Sequence, residues 1–68
     1  MSISVTVNGE SKSLEHPMSV AAMLDEFGLA AKKIAVERNL EIVPRSTYDA
    51  VTVEDGDRLE IVRFVGGG

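Results

Sequence analysis

Residues 3–9 read Ile-Ser-Val-Thr-Val-Asn-Gly, and this stretch decides the fold. Ile3, Val5 and Val7 alternate with Ser4 and Thr6, a period of two that puts three β-branched apolar side chains on one face of a strand. Asn8-Gly9 accepts the positive φ of a tight hairpin turn, so Ser11 to Leu14 can return beside the first strand.

The next segment changes period. Val20, Met23, Leu24 and Phe27 fall at i, i+3, i+4 and i+7, one apolar stripe of a helix with Asp25 and Glu26 turned to water. Pro17 biases His16 away from helix and Ser19 is placed to cap the first backbone donors. Gly28 suits the left-handed residue that ends a helix, with Leu29 folding back onto the last turn, which gives roughly ten helical residues.

Beyond the helix, Ile34 and Val36 alternate with Ala35 and Glu37, Asn39 offers a turn, and Ile42 with Val43 resumes before Pro44. This predicts a second short pair of strands. Ser46-Thr47 can open one helical turn around Tyr48, and Glu54-Asp55-Gly56-Asp57 marks a turn. A last strand runs from Leu59 to Val65, with Leu59 and Ile61 on one face and Val62 and Phe64 on the other. The order strand, strand, helix, strand, strand, strand indicates an α+β domain of β-grasp, ubiquitin-like type. Its mixed four- to five-stranded sheet carries one main helix on one face. The domain is read as residues 1–65 and Gly66-Gly67-Gly68 as a flexible tail.

Composition narrows the chemistry. A chain of 68 residues has room for a single core. With no cysteine and one histidine, disulfides, thiol nucleophiles and a structural zinc site are excluded. Seven basic against eleven acidic residues give a net charge of -4, the wrong sign for tracking a phosphate backbone. Nucleic-acid binding is therefore not expected. The opening residues resemble neither a signal peptide nor a membrane span, so a cytoplasmic protein is expected. His16 has no nucleophile to serve, Asp55 and Asp57 beside Gly56 read as turn chemistry, and no metal or bound cofactor is expected. Lys32, Lys33, Arg38 and Arg45 read as solvated surface.

What remains is the ending. Three glycines span about 10 Å when extended, at roughly 3.3–3.6 Å per residue, and without Cβ atoms they can thread a narrow channel. Gly66 and Gly67 would be the tether and Gly68 the group delivered. Its carboxylate, with an α-carboxyl pKa near ~3.5, is ionised at neutral pH and is a poor electrophile until activated. Adenylation with ATP would replace an oxide leaving group with a phosphate one. The chain has no phosphate-cradling glycine loop before a helix, so that step would belong to a partner. Val62, Phe64 and Val65 stand beside the tail, where a partner would grip the last strand. A frayed end and ordinary exposed apolar residues are the plainer alternatives.

Val7-Asn8-Gly9, Ala35-Val36-Glu37-Arg38-Asn39, Ile42-Val43-Pro44-Arg45, Asp55-Gly56-Asp57 and Phe64-Val65-Gly66-Gly67-Gly68, in this order and spacing, resemble the ThiS family of thiamine-biosynthesis sulfur carriers. Leu40 stands where that family often has glycine or a small polar residue. The resemblance implies a monomeric, non-enzymatic carrier whose Gly68 is adenylated by an ATP-dependent, E1-like adenylyltransferase. A sulfur-donor protein then helps convert it to a thiocarboxylate, which supplies thiazole synthase. The small subunit of molybdopterin synthase shares fold and terminus and is the nearest alternative. A ubiquitin-like modifier and a plain interaction module are the others.

Overall fold

A computed structural model of the chain describes residues 1–29 and 34–63. Strands β1 (Ile3–Val7) and β2 (Glu10–Leu14) form the expected hairpin, with Ile3 opposite Leu14 and Val7 opposite Glu10. Asn8 and Gly9 make its turn at φ 50° and 84°, the left-handed values for which Asn-Gly is suited.

Helix α1 (Val20–Glu26) has seven residues, shorter than the stripe predicts, because Phe27 is already its C-terminal cap. Gly28 follows at φ 72°. Gly28 N–H donates to Asp25 and Leu29 N–H to Leu24, the paired bonds of a glycine-terminated helix. At the other end, the Ser19 hydroxyl accepts from Ala22 N–H at 3.0 Å. The N–H groups of Val20 and Ala21 donate to the carbonyls of Val51 and Tyr48. The first turn of the helix therefore has partners for donors that helices otherwise leave open.

Strands β4 (Ile34–Arg38) and β5 (Glu41–Val43) form the second hairpin. A 3-10 turn at Arg45–Thr47 follows, as Ser46-Thr47 suggested. Two pieces of strand were not expected: β3 (Met18–Ser19), just before the helix, pairs antiparallel with β6 (Thr52–Val53). Each has two residues, too few for an alternation to show in the sequence. The last strand, β7, is Arg58–Arg63. The expectation that it continues through Phe64 and Val65 lies outside the described residues.

The main sheet has the order β2-β1-β7-β4-β5. The first and last strands are adjacent and parallel, Thr6 opposite Arg58 and Val7 opposite Leu59. On its other side β7 pairs antiparallel with β4. One sheet face packs against α1 around Val5, Val20, Met23, Leu24, Val36 and Leu59, each at most 2% exposed. Tyr48 and Val53 complete this core. The mixed five-stranded sheet with one helix on one face is the β-grasp arrangement anticipated.

Candidate functional site: the end of the central strand

Strand β7 is flanked on both sides yet differently at its two ends. Next to β1, a seam of bonds starts at Ser4, whose N–H donates to the Asp55 carboxylate at 2.8 Å. Gly56 N–H then donates to the Ser4 carbonyl, Thr6 N–H to that of Asp57 and Asn8 N–H to that of Leu59. There β1 ends and the chain turns away. The Asn8 side chain extends the seam by one more residue: its Oδ1 accepts from Ile61 N–H at 2.7 Å and its Nδ2 donates to the Ile61 carbonyl at 3.1 Å. On the β4 side, Asn39 plays a matching part at the start of β7, accepting from Arg58 N–H at 2.9 Å through its side chain. Its own N–H donates to the Arg58 carbonyl. Both asparagines sit at positive φ, 50° and 53°. In the sequence they read only as turn residues, because nothing local reveals a bond across 53 positions.

A second polar group anchors the start of β7. Asp57 is 7% exposed, and its carboxylate accepts from Arg38 Nε at 2.7 Å, Asn39 Nδ2 at 3.2 Å and Glu54 N–H at 2.8 Å. Burial would raise its pKa, but the Glu54 N–H and then the Arg38 and Asn39 groups outweigh it and hold the carboxyl below its ordinary value. Asp57 is thus the turn residue expected and more besides. Arg38 corrects the reading of it as free surface: it is an ion-pair partner, because strand β4 aims it at the turn before β7. Lys32 and Lys33 lie outside the described residues.

Of the residues expected at the functional end, Val62 is described. It points away from the helix, 55% exposed, opposite Ala35 of β4. On the same outer face Glu60 stands opposite Glu37, and Glu37 opposite Ile42 of β5. Ile42 is 76% exposed and joins Val62 and Ala35 in apolar character on that face, a feature hidden in the sequence by its place in an apolar run. Phe64, Val65, Gly66, Gly67 and Gly68 lie outside the described residues. On the helix side, an open groove of about 510 Å³ has Val7, Lys12, Phe27, Ile34, Ile61 and Arg63 in its lining. Among the described residues no cluster of three or more His, Asp or Glu could hold a metal. No described helix is long and apolar enough to cross a membrane.

A β-grasp sheet whose central strand leads in sequence into three glycines defines a small ubiquitin-like domain. Matched against known proteins, the chain fits the ThiS family over residues 5–68. It belongs to the ThiS family. A crystal structure of a thiamine biosynthesis protein (ThiS) from Geobacter metallireducens superposes with a TM-score of 0.85 at 36% identity, covering 97% of this chain and 100% of that one. The sulfur carrier protein ThiS of Bacillus subtilis is 42% identical over 50 residues, 74% of this chain and 76% of that protein. A thiazole synthase of Paramagnetospirillum magneticum is 55% identical over 64 residues, 94% of this chain and 20% of that protein. The chain thus spans about a fifth of the length of the thiazole synthases it matches.

Proposed function

We propose that this chain is a sulfur carrier of thiamine biosynthesis and a co-substrate rather than a catalyst. The observation that carries the reading is the family match, which runs through Gly68 and so includes the glycine ending. In the proposed cycle an oxygen of the Gly68 carboxylate attacks the α-phosphorus of ATP in a partner's active site. Pyrophosphate leaves and an acyl adenylate forms. A hydrosulfide equivalent, brought by a sulfur-donor protein, then attacks the acyl carbon. A C–S bond forms, the C–O bond to AMP breaks, and the product is a thiocarboxylate. Glycine suits both steps, since its carbonyl has no side chain to block the incoming nucleophile.

Thiazole synthase is the proposed acceptor of the sulfur. In support, two proteins named thiazole synthase contain a stretch 55% and 41% identical to this chain. Val62, Phe64 and Val65 are proposed to hold the last strand against the partners, and Gly66 and Gly67 to carry the terminus into their active sites.

Intact-protein mass spectrometry of the chain from its native host tests the reading. Replacement of one oxygen by sulfur in the C-terminal peptide is expected. Repeated absence of that exchange, with lysine-linked conjugates in its place, would show a protein modifier. Deleting Gly68 is expected to abolish adenylation while leaving the thermal midpoint unchanged, since no core residue is touched. A fall in the midpoint would show that the glycine ending packs on the domain.

A further inference from the structure

We infer that Asn8 is a positioning residue for the glycine tail, a role that rests on the carrier reading above. Strand alternation turns the N–H and C=O groups of Leu59, Ile61 and Arg63 toward the β1 side of β7. The Leu59 carbonyl is met by Asn8 N–H, and both backbone groups of Ile61 are met by the Asn8 carboxamide. After Asn8 the chain turns at Gly9 into β2, on the far side of β1. Among the described residues the carboxamide is therefore the last tie on that edge, and Phe64 follows Ile61 by three residues in the sequence. It works as a two-atom substitute for one more residue of β1. By holding both groups of Ile61 it fixes the course of β7 up to Arg63, the base from which the sequence leads to Gly68. A carrier whose terminus must enter a buried active site loses rate when that base is loose, even when its docking surface is intact.

Asn39 supplies the internal control. It sits at nearly the same φ and ties the same strand through the same kind of bond, at Arg58 instead of Ile61. Replacing either asparagine by glycine keeps the left-handed turn available and removes the carboxamide. The full-length chain and its Asn8→Gly and Asn39→Gly variants would be compared in two ways. Amide hydrogen exchange reads the local tie, and ATP-dependent adenylate formation with the cognate activating enzyme gives kcat and KM for the carrier.

Loss of the tie is expected to speed exchange at Ile61 by roughly tenfold in Asn8→Gly alone. That variant should also lose roughly tenfold or more in kcat with little change in KM, while Asn39→Gly keeps the wild-type kcat. The positioning role is overturned if Asn8→Gly turns over like the wild type, or if Asn39→Gly loses as much. Should either variant unfold, Asn8→Asp decides. It keeps the turn and the acceptor for Ile61 N–H but sets a carboxylate against the Ile61 carbonyl, so an unchanged kcat there overturns the role as well. Failure of the carrier reading shows itself separately, as a wild-type chain that forms no adenylate, and removes the positioning role with it.

Discussion

At the scale of single residues, Asp57 and Leu40, both in turns, act on stability in opposite directions. Asp57 has a depressed pKa in the folded chain, so its charged form is favoured by folding. Its contribution is present in full above the ordinary carboxylate pKa near ~4 and is lost as the pH falls from there through the lower folded value. Asp57→Ala is expected to cost about 2 kcal/mol at neutral pH, because Arg38, Asn39 and Glu54 N–H lose their acceptor while Arg38 keeps part of its hydration. Urea titrations at pH 7 and pH 3 check this: the gap between wild type and variant should shrink at the lower pH. Leu40 is the opposite case. It stands at φ 72° and is 81% exposed, so it bears the cost of the left-handed region with no burial in return. Leu40→Gly is expected to raise stability by roughly 0.5 kcal/mol, the relief of strain less the extra chain entropy of glycine. A lower denaturation midpoint would show that Leu40 is held by contacts of its own.

At the scale of elements, the sequence disclosed what period and punctuation can disclose. The alternation of Ile3, Val5 and Val7 marked β1, and Asn8-Gly9 marked its turn. The stripe from Val20 to Phe27 marked α1, and Gly28 with Leu29 its end. The short elements β3 and β6 escaped because two residues have no period. The bonds of Asn8 and Asn39 to β7 escaped because they depend on which strands lie side by side, and topology is not local information. The outward direction of Val62 was legible from alternation alone, whereas Ile42 was masked by its neighbour Val43. Val62 supports a prediction at this scale: Val62→Glu is expected to weaken binding to the proposed activating partner about tenfold, as loss of an apolar contact at an interface does. The thermal midpoint should stay within a few degrees. Calorimetric titration and melting of the same samples separate the two effects, and unchanged affinity would remove Val62 from the interface.

At the scale of the whole molecule, the core is a single layer between one sheet face and one short helix, and no cross-link supplements it. Leu59 lies at its centre, fully buried, on the strand between β1 and β4. Leu59→Ala is expected to cost about 3 kcal/mol from lost contacts and the cavity left behind. In a domain this small that lowers the melting temperature by roughly 15 °C. A loss below about 1 kcal/mol in a denaturant melt would mean that the helix settles into the space.

The adjacency of β1 and β7 has a consequence for how the protein is made. Among the described strands of this domain, the one that fills the middle of the sheet is made after the others. A nascent chain halted before Arg58 holds two hairpins with a gap between them, and the contacts that join its halves have yet to form. Non-local closure of this kind comes late and all at once. β7 must leave the ribosome before the sheet can close, so the glycines that follow it in the sequence have been made by then.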